Sequence, residues 1–174
     1  MNRVRNRKFL HVNKIDSKNN KLLNVGEKIK FGDDFNPYRN SYEYGNVSLE
    51  DNVGSLIKAV TLYWHFTLET IFEEERIKIN PELPSRLKCI WLTDKECLSY
   101  WYKQLSQADV KLQTVELDVT GKILKCDAHW VELQPSPLEL VRENAQQYWN
   151  GVIKCEYKIE YLFEGNIEVS SIFQ

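Results

Sequence analysis

Apolar residues recur at three- and four-residue spacing through the middle of the chain and predict its longest helix. This helix runs from Val53 to about Ile79, and its apolar positions are Leu56, Ala59, Val60, Tyr63, Trp64, Leu68, Ile71 and Phe72. Pro81 and Pro84 follow, and because proline disfavours helical backbone in the residue before it, they are expected to end the helix. The acidic residues of its second half are interpreted as a solvated face; they are Glu69, Glu73, Glu74 and Glu75.

Two shorter helices are predicted from their end signals. The segment DKECLSYWYKQLS follows Thr93, which has Glu96 at capping-box spacing. The segment SPLELVRENAQQYWNG begins with Ser136 as its N-cap and stops at Gly151.

Apolar runs and alternations predict strands on both sides of these helices. They are KFLHV (8–12), KIKF (28–31), RLKCIWLT (86–93), KLQTVELDVTGKILKCDA (111–128) and YKIEYLFEGNIEVSSIF (157–173). The last two are interpreted as hairpins that turn at Gly121 and at Gly165. Strands and helices interleave without βαβ regularity, linker or repeat, so the sequence predicts a single α+β domain over residues 1–174.

Glu160 interrupts the last of these apolar segments. By alternation Tyr157, Ile159, Tyr161 and Phe163 share one face of the strand, and Glu160 lies on the other. A carboxylate at that position either meets solvent or lines a cleft. Glu156, Glu164 and Glu168 flank it, and the first two share its parity, so they are alternatives for any role given to Glu160.

Composition and charge narrow the classes of protein. The chain has 174 residues, 43% of them hydrophobic, and a formal net charge of −2. It therefore lacks the positive excess of a constitutive nucleic-acid binder. Residues 1–8, which hold four basic side chains, are interpreted as a basic flexible arm. No segment resembles a secretory signal or the roughly 20 apolar residues of a membrane span, so a cytoplasmic protein without a membrane partner is expected.

Familiar catalytic and metal-binding motifs are absent from the sequence. It contains no Gly-x-Gly-x-x-Gly, no P-loop, no Gly-x-Ser-x-Gly and no His-Glu-x-x-His. The four cysteines form no Cys-x-x-Cys pair and are expected to be reduced and structural. The three histidines lack ligand spacing, so no metal site is expected.

Three groups of short motifs carry a resemblance to a known family. FLHV stands near the start, NPELPSRLKCIWLTD in the middle, and YWNG followed by EYLFEGNIEV at the end. In this order they resemble an uncharacterised bacterial domain-of-unknown-function family, which is similar to the ADP-ribosyltransferase superfamily. The resemblance implies an ADP-ribosyltransferase-like split β-sandwich with flanking helices, which binds NAD in a cleft.

The resemblance also implies roles for particular residues. Glu160 matches the catalytic glutamate of the superfamily, and His11 matches the first-strand histidine that orients a ribose hydroxyl. Ser85 and Arg86 stand near the middle-strand position as cofactor-binding residues, and Arg86 is expected to pair with the pyrophosphate through its planar guanidinium. One aromatic residue is expected to stack on nicotinamide, and the candidates are Tyr38, Tyr42 and Tyr44.

The function implied is transfer of ADP-ribose from NAD to an unidentified macromolecule, in the setting of a toxin or of phage–host conflict. Lys158 stands where many arginine-modifying members carry Gln or Glu, so the acceptor is expected to be nucleic acid, another side chain or water. Two alternatives stay open. One is a catalytically silent module that binds NAD or nucleic acid, and the other is a structural protein that binds a partner through the aromatic-rich segment 35–44.

Overall fold

The computed structural model describes residues 1–15, 21–39, 53–106, 110–131 and 134–173. In these residues five strands form one antiparallel sheet: β1 (Asn2–Ile15), β2 (Lys28–Phe31), β3 (Ile90–Leu92), β4 (Lys111–Asp127) and β5 (Ile159–Phe173). The order is β1-β4-β5-β2. Strand β3 also pairs with β5, along the same edge as β2. The chain is a single α+β domain, as predicted. The finer split β-sandwich stays a prediction.

Three helices of more than ten residues accompany the sheet in the described part of the chain: α1 (Val53–Ile79), α2 (Lys95–Leu105) and α3 (Leu138–Trp149). The predicted α1 is confirmed. The predicted N-caps of the other two are wrong, whereas the predicted stop of α3 at Gly151 is confirmed. Asp94 caps α2, because its carboxylate accepts a hydrogen bond from the Cys97 amide at 2.9 Å. The Ser136 hydroxyl donates to the Gln134 carbonyl and leaves α3 without a side-chain cap.

The two predicted hairpins are wrong, since β4 and β5 each continue through the glycine assigned to a turn. Gly121 and Gly165 lie opposite each other in the β4–β5 register. A Cβ atom on Gly121 would stand 2.8 Å from the Gly165 Cα and would overlap the Glu164 carbonyl oxygen. Glycine is needed here for the close approach of two backbones rather than for a turn.

The replacement Gly121→Ala is expected to lower the free energy of unfolding by about 1–3 kcal/mol or more, because the added methyl group overlaps backbone that cannot rotate away. Gly26→Ala is the control: a Cβ there meets nothing within 4 Å, so only the cost of its left-handed φ of +84° remains. Urea unfolding of both variants checks this. A Gly121→Ala loss no larger than the control's would contradict the close approach.

The basic residues near the N-terminus belong to the sheet, so the flexible-arm interpretation of residues 1–8 is wrong. Residues 2–4 and 7–8 pair with β4, with a register shift between Val4 and Arg7. Lys8 also pairs with the Glu116 carboxylate on β4. Strand pairing and this ion pair hold the segment in place.

In the described residues, two apolar cores lie on opposite faces of the sheet. One packs β4 and β5 side chains such as Val115, Leu117, Phe163 and Ile167 against Ile90 and Leu92 of β3. The other packs Leu124, Cys126 and Leu162 of the sheet against α1 and α3; from the helices it takes Leu68, Ile71, Phe72, Val141, Ala145, Tyr148 and Trp149. Glu160 pairs with Cys126 in the register and therefore stands on the helix-covered face.

The sheet curls so that its first strand meets the short strand β3. Leu10 and Thr93, the residue after β3, exchange two backbone hydrogen bonds of 2.9 and 2.7 Å. Since β3 also pairs with the start of β5, this contact brings the His11 end of β1 to the Glu160 end of β5. None of the helices in the described residues has the length and apolar composition of a membrane span.

Candidate functional site

A cavity of about 560 Å³ opens at the end of the sheet where β1, β3 and β5 meet. We call it the central cavity. Its walls are mostly apolar and include Leu23, Ile29, Phe31, Ile90, Trp91, Leu92, Trp101, Leu105 and Ile167. His11, Asn36, Arg86 and Glu160 are among the polar residues that line it. A cavity of this size with a few polar groups on apolar walls is typical of small-molecule sites.

A buried ionic network reaches the wall of the central cavity. Arg86 stands between α1 and β3, and its guanidinium donates to Glu69 of α1 from Nε at 2.9 Å and from Nη2 at 3.0 Å. Its Nη1 donates to Glu160 Oε1 at 2.7 Å. We call these three residues the Glu69–Arg86–Glu160 cluster. Their side chains are only 4%, 9% and 7% exposed, so water screens their charges little.

Tyr148 of α3 completes the network. Its hydroxyl accepts a hydrogen bond from Arg86 Nη1 at 2.7 Å and donates one to Glu160 Oε1 at 2.6 Å. Burial raises the pKa of Tyr148 well above its ordinary value, so the hydroxyl keeps its proton. Burial opposes the charge of Arg86, but the carboxylates of Glu69 and Glu160 raise its pKa well above the ordinary value. Arg86 therefore stays a cation and Tyr148 a neutral donor.

The two oxygens of Glu160 have different environments. Oε1 accepts from both Arg86 and Tyr148. Oε2 accepts no hydrogen bond from any residue that the structure describes, although the side chain is buried and lines the central cavity. A carboxylate held by one oxygen is oriented, and its second oxygen is available to a ligand.

The backbone around Arg86 is fixed by a buried amide. The side chain of Asn36 donates from Nδ2 to the carbonyls of Arg86 at 2.8 Å and Cys89 at 3.1 Å. The backbone N–H of Asn36 donates to the Leu87 carbonyl at 2.9 Å. These bonds hold the segment before β3, and with it the root of the Arg86 side chain.

His11 is a neutral imidazole at the wall of the cavity. Its Nδ1 lies 2.8 Å from the Trp91 carbonyl oxygen, and since a carbonyl only accepts, Nδ1 carries the hydrogen. Burial lowers the pKa of His11, and the bond to Trp91 opposes this only in part. The ring therefore keeps a lone pair on Nε2.

His11 and Glu160 reach the cavity from different faces of the sheet. Phe9 packs on Tyr161 with 5.0 Å between ring centroids, so His11, two residues after Phe9, shares the Tyr161 face. Glu160 precedes Tyr161 and has the opposite face. All three residues of β3 line the cavity, which thus extends to both faces there. The two predicted residues line one cavity but are not hydrogen-bonded to each other.

His11 gives the stability a pH dependence of fixed sign. In the folded protein the pKa of His11 lies below the ordinary value of 6.5. The contribution of the neutral ring to the free energy of unfolding is therefore complete above about pH 6.5, and it is lost as the pH falls toward the folded pKa. Between about pH 7 and about pH 5, the free energy of unfolding should fall less steeply in His11→Gln than in the wild type, by up to ~1.4 kcal/mol per pH unit. Urea unfolding at several pH values measures the slope, with His65→Gln, at an exposed position of α1, as the control. Parallel wild-type and His11→Gln curves would contradict this.

The other predicted site residues do not all lie at the central cavity. Tyr38 lines the cavity and packs edge-on against Trp91 at 5.7 Å. Tyr42 and Tyr44 lie outside the described residues, as does the second half, residues 40–44, of the 35–44 segment predicted to bind a partner. Ser85 is buried, and its hydroxyl donates to Glu73 at 3.0 Å; it is not among the described residues that line the cavity.

Arg86 lines the cavity, but its contacts differ from the pyrophosphate role. All three guanidinium nitrogens already donate to Glu69, Glu160 or Tyr148. Its geometry instead fits a residue that positions Glu160.

Burial and position also distinguish Glu160 from the three neighbouring glutamates that were its alternatives. Glu156 and Glu168 are exposed, and Glu164 is half-buried and accepts a hydrogen bond from the Ser85 amide. Of the four, Glu160 alone is buried and lines the central cavity. Lys158 ends a short 3-10 helix, with its ammonium 5.8 Å from the Tyr100 ring.

Sequence reasoning missed Glu69 and Tyr148. Glu69 belongs to a stretch interpreted as solvated, but Glu69 and Glu75 are buried at 4% exposure each. The signal available was position, because Glu69 lies next to Leu68 and three residues before Phe72 on the apolar stripe.

Among the described residues there is no cluster of three His, Cys, Asp or Glu suited to a metal ion.

The fold and site define a single-domain α+β protein with a buried ionic cluster at the wall of a small-molecule-sized cavity. The chain belongs to the family described as protein of unknown function (DUF2441), whose model matches residues 5–174. No curated protein matches the chain.

Proposed function

We propose that this protein is an ADP-ribosyltransferase-like enzyme that binds NAD in the central cavity and transfers ADP-ribose to a macromolecular acceptor. The observation that carries the proposal is the state of Glu160. A buried carboxylate at the cavity wall has one oxygen held by Arg86 and Tyr148 and the other without a partner among the described residues. Its place at the start of β5 agrees with the late-strand glutamate that the resemblance implies.

The chemistry needs a fixed negative charge beside the ribose. When the bond between nicotinamide and ribose breaks, its electron pair goes to the ring nitrogen and positive charge develops on the ribose. A nucleophile of the acceptor then forms a new bond to the ribose carbon that carried nicotinamide, and the nucleophile loses its proton to water. Glu160, by accepting a hydrogen bond from a ribose hydroxyl, stabilises this charge more than the ground state.

The neighbours of Glu160 have distinct roles in this proposal. Arg86 and Tyr148 orient the carboxylate, and Glu69 holds Arg86 in turn, so the geometry exists before NAD binds. Tyr38 and Trp91 form an aromatic wall for the nicotinamide ring. His11 offers the lone pair of Nε2 to a ligand hydroxyl from the other face of the sheet, independently of Glu160.

The test is release of nicotinamide from NAD by the purified protein, with and without cell lysate as a source of acceptor. Chromatography of the reaction measures free nicotinamide, and labelled ADP-ribose on a macromolecule identifies transfer. The proposal expects release that rises when acceptor is present. No release under either condition from folded protein would contradict the enzymatic proposal.

A specific observation favours a second candidate, a silent module that binds NAD in the same cavity. The charge of Glu160 is already paired with Arg86 at 2.7 Å, as in a structural ion network. This candidate expects NAD to raise the melting temperature with no release of nicotinamide. Release that depends on the protein excludes it.

A further inference from the structure

The Glu69–Arg86–Glu160 cluster carries an unbalanced charge. Two carboxylates face one guanidinium, and all three side chains are at least nine-tenths buried. Tyr148 adds no charge because burial raises its pKa, and Arg86 stays a cation. The buried end of the cavity wall therefore has one net negative charge. The Oε2 atom of Glu160 is the oxygen of the cluster that lacks a hydrogen-bond partner among the described residues.

Three other charged residues in the described part of the chain line the cavity and together carry one formal positive charge, but none of them is buried. Lys21 is exposed and Lys14 half-buried, and Glu27, also half-buried, accepts a hydrogen bond from the Asn24 amide. These three side chains meet water, which screens their charges. The buried cluster is screened far less, so it dominates the potential beside Glu160.

The wall next to the cluster suits a flat cation. Tyr38 and Trp91 meet edge to face at 5.7 Å, and Trp101 also lines the cavity. The Arg86 guanidinium already stands 5.6 Å from the centre of the Trp91 ring. Aromatic faces attract cations, and they also stack on heteroaromatic rings.

We propose that the central cavity selects a flat heteroaromatic cation over an uncharged ring of the same shape, with the charge bound beside Glu160. The inference names the ligand class of the site in the proposed function and rests on that proposal for the location of binding. It does not require that the bound ring be cleaved from anything.

Two matched probes test the charge alone. 1-Methylnicotinamide is a pyridinium cation, and 3-methylbenzamide has the same shape with carbon in place of the charged nitrogen. Calorimetric titration or tryptophan fluorescence measures the binding of each probe to the wild type, Glu160→Gln and Glu164→Gln. The wild type and the control Glu164→Gln should bind the cation at least about tenfold more tightly, the effect of one charge-assisted contact. Glu160→Gln should bind both probes within about twofold, since its cluster is neutral.

Each other outcome overturns the inference. Equal binding of both probes by the wild type, no binding of either at millimolar concentration, or a preference that survives Glu160→Gln would each do so. Circular dichroism of each variant confirms the fold. Cation preference without nicotinamide release from NAD would contradict the proposed enzyme and leave this inference standing. Nicotinamide release without cation preference would contradict this inference and leave the proposed enzyme standing.

Discussion

Replacing Arg86 by methionine is expected to lower the free energy of unfolding by about 3–5 kcal/mol, the largest stability effect that the structure predicts. Methionine fills much of the same space but leaves the carboxylates of Glu69 and Glu160 buried without their shared cation. It also removes the donor that pairs with the Tyr148 hydroxyl. Guanidinium unfolding near neutral pH, followed by circular dichroism, measures the loss.

Two further variants show whether the loss comes from the buried charges. Arg142→Met removes a 39% exposed arginine paired with Glu74, so its cost should stay below about 1 kcal/mol. Adding Glu69→Gln and Glu160→Gln to Arg86→Met removes the unpaired carboxylates and should recover part of the stability. If Arg86→Met costs no more than Arg142→Met, the cluster is not a major element of the fold.

Glu160→Gln is expected to lower the rate of nicotinamide release by about 100- to 1,000-fold, the usual effect of losing one group that stabilises transition-state charge. Glutamine keeps an oxygen that can accept from Arg86 and Tyr148, so the fold is retained while the negative charge is lost. Initial rates at saturating NAD, for variant and wild type side by side, give the ratio.

Glu164→Gln is the matched control for that rate. Glu164 is on the same strand with the same parity, but it bonds the Ser85 amide at 2.7 Å and is not among the described residues that line the central cavity. Its release rate should stay within a few-fold of wild type. Equal rates for Glu160→Gln and wild type would remove Glu160 from the chemistry.

Local signals predicted the helices well because they depend on residues close in sequence. The spacing of apolar residues between Leu56 and Phe72 fixed the period of α1, and Pro81 marked its end. Gly121 and Gly165 were misread because glycine serves both tight turns and close backbone contact. Only the register, which pairs residues 44 positions apart, distinguishes the two uses.

The candidate site depended on longer-range contacts that no local pattern contains. Glu160 and Arg86 were singled out by resemblance, but their ion pair joins residues 74 positions apart. Glu69 was assigned to solvent because an acidic run on a helix usually is solvated, and the buried Arg86 that reverses this lies 17 residues away. Tyr148 is the first residue of the YWNG motif, but no local pattern indicated that its hydroxyl reaches Glu160.

The most direct measurement of the central claim is a crystal structure of the Glu160→Gln variant with NAD, in which binding persists while turnover is slow. We expect the nicotinamide ring in the central cavity against Tyr38 and Trp91. We also expect a ribose hydroxyl within hydrogen-bond distance of residue 160. NAD bound elsewhere, or an empty cavity at saturating NAD, would contradict the assignment of this cavity as the NAD site.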